Sequence, residues 1–288
     1  MSIHRWVKKD NDYLKTFVEM VFTKHRDLKD KTLMSMESKM NKGIFSLDNE
    51  NGPELVATAH TSTRHPNCIY VCLAYDFNRL DKSALRLMID FLKNEFEKPL
   101  FFLIDDRFIG LDKLLLEQEF RWIRKTEVIN IHSKKSEIVR LDNEIKTVSQ
   151  ILHEPTLMFS LVELCKSIYT KTHLDNPVAD LPSSSWRNII LDDLIEENSY
   201  IVLNENSVIA FSFMHQGEEN DWELSWIGVE DSSKLTLLDF LLNRQLQDAV
   251  ECGIVTIEKE VDTTCPYSLH IAKSLSHNVL ETWYAFIG

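Results

Sequence analysis

No two of the five cysteines in this chain (Cys68, Cys72, Cys165, Cys252 and Cys265) are spaced as C-x-x-C, and their number is odd. A disulfide framework or a thiolate metal centre needs pairs, so they read as reduced thiols in small apolar positions, and no metal site is expected. Long hydrophobic runs are missing as well. No window reaches the length needed to span a bilayer, and Met1–Trp6 opens without an apolar stretch of signal-peptide length. The expectation is a cytoplasmic protein with no membrane partner. Positive charge is in deficit: 32 Lys and Arg stand against 45 Asp and Glu, a formal net charge of −13. Nucleic-acid backbones and anionic membranes repel such a chain, whereas a cationic amine is attracted.

What is present is ordinary globular material, 44% apolar and 27% charged over 288 residues, enough for two domains of about 140 residues each. One pattern is written twice at an offset of about 155 residues, too long a period for a solenoid. Asn49-Glu50-Asn51 joins the strand-like runs Gly43–Leu47 and Leu55–Ala59, and Asn204-Glu205-Asn206 joins Tyr200–Leu203 and Val208–Phe213. The apolar run Ile69–Tyr75 corresponds to Leu224–Val229, the helical stretch Ala84–Phe96 to Leu238–Val250, and Leu100–Ile104 to Ile254–Ile257. Thr126–Ile131 and Thr282–Ile287 read as the closing strands of the first and second halves.

Helical stripes precede each hairpin: Tyr13, Leu14, Phe17, Val18, Val21 and Phe22 in one copy, and Leu157, Leu161, Leu164, Cys165 and Ile168 in the other. Shorter helices are predicted over Asp30–Met40 and Ser185–Leu194, the latter capped by Ser183 or Ser184. Leu235, Leu238, Leu242, Leu246 and Ala249 share one face of a long helix that should stop at Gly253. Strand, helix and strand from Glu223 to Asp262 form a crossover, which demands a parallel or mixed sheet. The polar run His132–Ser136 separates the halves, giving domains 1–133 and 134–288, and Glu137–Leu141 reads as the opening strand of the second.

This order of elements resembles the GNAT superfamily of acyl-CoA-dependent N-acetyltransferases, twice over. The resemblance implies an α+β (mixed α/β) fold of two tandem GNAT-like domains, each a mixed, mostly antiparallel sheet with a β-α-β crossover and flanking helices. Leu224–Val229 is similar to the family's fourth strand and Ile254–Asp262 to its fifth. In the family these strands part, and the pantetheine arm of acetyl-CoA lies between them. The resemblance therefore places cofactor contacts at Ile227, Gly228, Val229, Ser232, Ser233, Lys234, Leu235 and Thr236. The family's Arg/Gln-x-x-Gly-x-Gly/Ala loop is absent: Glu230–Asp239 and Asp76–Ala84 contain no glycine. Glycines let backbone N–H groups close on a pyrophosphate, and acids at 230, 231 and 239 oppose one.

The catalytic candidates are Glu223, a strand carboxylate able to deprotonate an amine, and Tyr267, a phenol at the start of the last helix, where the family's acid lies further along near Ala272. Alternation puts Glu223 on one face with Ser225 and Ile227. Each has a plainer role, a solvent-facing strand residue and a helix anchor. Ser232, Ser233 and Thr236 are also natural helix caps. Trp222, Trp226, Trp283 and Tyr284 either pack the core or line an acceptor pocket, and Gly217–Asp221 is an acidic loop. The implied activity is acetyl transfer from acetyl-CoA to a small-molecule or peptide amine by direct attack, the second half being the working copy and a homodimer possible. The rival is a GNAT-fold binding or regulatory protein without catalysis.

Overall fold

The computed structural model describes residues 2–6, 12–77, 81–133, 143–217 and 221–288. The expected strand Glu137–Leu141, the linker residues 134–136, loop residues 78–80 and acidic-loop residues 218–220 lie outside them.

The chain forms two compact units: Met1–Arg124 with Asp175–Ala179 and Trp283–Gly288, and Lys125–Leu174 with Asp180–Thr282. The N-terminal unit runs β1 (Ser2–Trp6), α1 (Asp12–Val21), α2 (Arg26–Glu37), β2 (Asn41–Asn49), β3 (Gly52–His60), β4 (Ile69–Tyr75), α3 (Lys82–Glu95), β5 (Leu100–Asp105) and α4 (Leu111–Glu117). The hairpin turn between β2 and β3 is set by Gly52 at φ +117, where a side chain would be strained. Leu14, Phe17 and Val18 bury the inner face of α1, while Tyr13, expected on the same stripe, is exposed. The second helix starts four residues earlier than its periodicity suggested, at Arg26 rather than Asp30.

Next come β6 (Arg121–His132), β7 (Glu144–Thr147), α5 (Val148–Ile151), α6 (Pro155–Thr172), α7 (Ser183–Leu191), β8 (Tyr200–Asn204) and β9 (Ser207–Gln216). Then follow β10 (Trp222–Val229), α8 (Thr236–Glu251), β11 (Thr256–Asp262), α9 (Pro266–Ser274) and β12 (His277–Ile287). The helix α8 buries Leu238, Leu241, Leu242, Leu246 and Ala249 and ends before Gly253, which adopts φ +78 as a helix stop requires. Neither Ser183 nor Ser184 caps α7. Pro182 stands at that position, and the Ser183 hydroxyl donates to Glu163 on α6 at 2.9 Å instead.

Each unit's sheet is antiparallel except at one rung set. The N-terminal order is β1-β2-β3-β4-β5-β12, with β4 and β5 parallel. The C-terminal order is β6-β11-β10-β9-β8-β7, with β10 and β11 parallel.

The closing strands are thus exchanged. Trp283–Ile287 pair with β5 of the N-terminal unit, and Thr126–His132 pair with β11 of the C-terminal unit. The sequence expectation gave each half its own closing strand. Both segments are amphipathic, antiparallel partners for a fifth strand, so nothing local distinguishes the two pairings. The division of the chain at residue 133 and the compact units are accordingly different partitions.

Of the cysteines, Cys68 and Cys165 are buried, Cys72 and Cys265 half-buried and Cys252 exposed, and all five are free thiols. Among the described residues no helix is long and apolar enough to cross a membrane.

Candidate functional site

In each unit the two parallel strands begin together and then part. Rungs join Ile69–Val71 of β4 to Leu100–Phe102 of β5, and no rung follows. In the C-terminal unit only Trp222↔Ile257 and Glu223↔Glu258 are paired before β10 and β11 separate. Full pairing would have left no opening, so this parting is the feature that makes a site.

Glu223 stands on the last paired rung, half-buried. Burial raises its carboxyl above the usual range, the charges of Glu260 and Glu258 add to this, and Lys259 opposes it. Across the other side of β10 its partner is His215, whose Nδ1 hydrogen-bonds Ser225 Oγ at 2.5 Å and whose pKa is lowered by burial. Ile227 does not share this face. The register shifts between Leu224 and Ile227, a bulge that turns Ile227 over to the apolar core with Trp222 and Leu224. Trp226 packs against Tyr169 of α6 at 5.0 Å and Trp186 of α7 at 6.1 Å, so these rings fill space against one another. Trp283, assigned to the second half, lies in the N-terminal unit with Lys31 Nζ 3.6 Å above its ring.

The residues that the resemblance assigns to a cofactor fall into two groups. Ile227, Gly228 and Val229 pair with Ser212, Phe211 and Ala210 of β9. Ile227 and Val229 are buried, and the Gly228 backbone comes so close to α6 that a Cβ would lie 2.3 Å from Ile168 Cδ1. Ser232, Ser233 and Lys234 form a short 3-10 turn, Leu235 packs on the core and Thr236 opens α8. None of these serines or Thr236 caps a helix. Asp231 does so: its carboxylate accepts from the Ser233 N–H at 2.9 Å, and its own carbonyl accepts from the Lys234 N–H. Lys234 Nζ lies 3.9 Å from the Glu230 carboxylate. Tyr267, in the first turn of α9, packs on the core, and burial raises its phenol pKa.

A residue absent from the sequence-based candidates dominates the opening. Lys259 of β11 is 3% exposed, and its Nζ donates to the Ser225 carbonyl of β10 at 2.7 Å. His270 Nε2 of α9 meets the Asp239 carboxylate of α8 at 2.9 Å. The family resemblance would give an acyl-CoA arm the β10 backbone and its pyrophosphate the N–H groups of the following loop. Here Lys259 takes the Ser225 carbonyl of β10 and Asp231 the Ser233 and Lys234 N–H groups, so the residues as arranged do not fit it. In the N-terminal unit the parting of β4 and β5 keeps a pocket lined by Lys31, Thr32, Cys72, Leu73, Ile104 and Trp283. Phe77 and Phe108 meet edge to face at 4.8 Å in the loops beyond β4 and β5.

A mixed sheet whose fourth and fifth strands part in parallel, with helices between them, is the GNAT arrangement. No protein-family model and no curated protein matches the chain. Solved structures do. A GCN5-related N-acetyltransferase from Sphaerobacter thermophilus is similar at TM-score 0.64 and 11% identity, covering 100% of this chain and 95% of that one. A GCN5-related glucosamine N-acetyltransferase region of a fungal multi-domain GH3 β-N-acetylglucosaminidase gives TM-score 0.68 at 10% identity, over 100% of this chain and 38% of that chain. A tandem GNAT protein from the clavulanic acid biosynthesis pathway gives TM-score 0.57 at 7% identity, over 100% and 98%. The chain has the fold of the GCN5-related N-acetyltransferases.

Proposed function

We propose that the chain is an N-acetyltransferase that acts on a cationic amine, with the acceptor side of the reaction in the C-terminal unit. The observation that carries this is Glu223: a half-buried carboxylate of raised pKa, on the rung where β10 and β11 part. A base must be ionised yet willing to take a proton near neutrality, and burial beside Glu258 and Glu260 moves a carboxyl in that direction. Glu223 would hold the ammonium by charge and accept its proton, leaving a neutral amine at the mouth of the opening. Tyr267 has the weaker claim, because burial against the core makes its phenol a poorer acid.

A second reading, a GNAT-fold binding or regulatory protein without catalysis, is favoured by Asp231 and Lys259, which occupy the places where a cofactor would be held. Transfer of a radiolabelled acetyl group from acetyl-CoA to glucosamine, spermidine and an N-terminal peptide separates the two. The transferase predicts labelled product from at least one amine, reduced about 100-fold by Glu223→Gln. No product from any amine would favour the binding protein.

A further inference from the structure

The pocket in the N-terminal unit is one that the transferase reading does not use. It measures about 360 Å³ with its mouth included, and every residue lining it belongs to that one unit. Small-molecule sites run from about 300 to 1,000 Å³, so the occupant must be short. Buried side chains of Leu28 on α2, Val71 and Leu73 on β4, Ile104 on β5 and Leu111 on α4 make the lining apolar. An apolar body therefore belongs inside it.

Three polar side chains reach this pocket, and two are engaged. The Thr32 hydroxyl donates to the Leu28 carbonyl at 2.8 Å. Cys72 hydrogen-bonds Ser35, and burial raises its thiol pKa, so the thiol stays protonated and offers a ligand no nucleophile. The third is Lys31, exposed on α2, whose Nζ stands 3.6 Å over the Trp283 ring. An indole face attracts an ammonium but carries no negative charge, and three N–H donors let the ammonium take a carboxylate without leaving the ring. Asp27, one turn before Lys31 on α2, and Asp105 at the end of β5 are both bound by Arg107, so their charges are met there. What remains is an apolar slot with a cation beside it.

We propose that this pocket binds a short aliphatic carboxylate, its chain among the apolar side chains between β4 and β5 and its charge on Lys31. An amine of the same length is turned away by the same ammonium. The inference does not depend on the transferase reading, which concerns the C-terminal unit.

Ligand-observed NMR titration of the full chain with butyrate, hexanoate, hexylamine and acetyl-CoA tests this on wild type, Lys31→Gln and Lys31→Arg. Lys31 is exposed on its helix, so both variants should fold. Each methylene added from butyrate to hexanoate should tighten binding about 4-fold. Lys31→Gln should weaken hexanoate at least about 10-fold, and Lys31→Arg should keep most of the affinity. Hexylamine binding as tightly as hexanoate, or hexanoate binding unchanged in Lys31→Gln, overturns the carboxylate assignment. Binding of acetyl-CoA but of neither acid gives the pocket to a thioester and overturns it too. No binding of either acid to the wild type overturns the site itself.

Discussion

Ser212 on β9 donates to Gln245 Oε1 on α8 at 2.6 Å, and the two side chains are 2% and 0% exposed. Gln245 returns its amide to the carbonyls of Asn198 at 2.9 Å and Ser212 at 3.1 Å. One glutamine in an otherwise leucine-rich stripe thereby fixes the rotation of α8 over the sheet, and with it the turn that Asp231 caps. Gln245→Leu should cost about 2–4 kcal/mol in urea denaturation, because a hydroxyl and two carbonyls lose their partner in a dry site. Adding Ser212→Ala should recover part of that loss. A fully additive double mutant would show that the two side chains do not act together.

Gly228 faces the same kind of constraint from steric rather than polar causes. Gly228→Ala would place a methyl 2.3 Å from Ile168 Cδ1 and 3.2 Å from the Phe211 ring. Because the contact is with the tip of the Ile168 side chain, the cost should lie at the low end of the about 1–3 kcal/mol of overpacking, and thermal melts should show it. Ile168→Val in the same background should restore some stability. No change on Gly228→Ala would mean that the Ile168 Cδ1 methyl turns aside without cost.

Stability should fall as the solution is acidified from neutrality. His60, His65 and His215 are all held below the ordinary histidine value of 6.5 by burial. Their neutral forms suit the folded state, so their contribution is complete above 6.5 and is lost as pH drops toward the depressed folded values. Each adds up to about one proton to the slope of unfolding free energy against pH. Glu223, raised from 4.5, acts in the opposite sense and softens the decline at the acid end. Chemical denaturation at successive pH values between about 7 and 5.5 measures the slope, and His65→Gln should flatten it. A flat profile in the wild type would refute the assignment.

Phe286→Ala tests the strand exchange. Phe286 is 2% exposed and opposite Phe102 of β5. Its loss should cost about 3–5 kcal/mol, and hydrogen exchange should accelerate in β4 and β5 while β10 and β11 stay protected. Acceleration in the C-terminal unit instead would contradict the pairing.

Much of this fold was legible because hydrophobic period and turn residues act locally. The two Asn-rich hairpins and the α8 stripe ending at Gly253 follow from residues near one another in sequence, whereas the parting of the parallel strands was implied only by the family resemblance. The closing strands were not legible, since Thr126–Ile131 and Thr282–Ile287 suit either fifth strand equally well. A single-residue bulge defeated alternation at Ile227. Capping by Asp231 was masked by the serines beside it, which are equally good caps in isolation. Lys259 did leave a signal: Ile257 and Val261 flank it at the strand period, marking a lysine on an apolar face. Its target, the Ser225 carbonyl, is a backbone atom on another strand and has no signature in the sequence.

The exchanged strands also set an order of events during synthesis. When β5 leaves the ribosome, one of its edges has no partner, and that partner is made only after the whole C-terminal unit. Unpaired strand edges are the surfaces through which nascent chains aggregate. The N-terminal unit therefore spends most of its translation time unfinished, and its completion is timed by the arrival of residues 283–287 rather than by its own sequence.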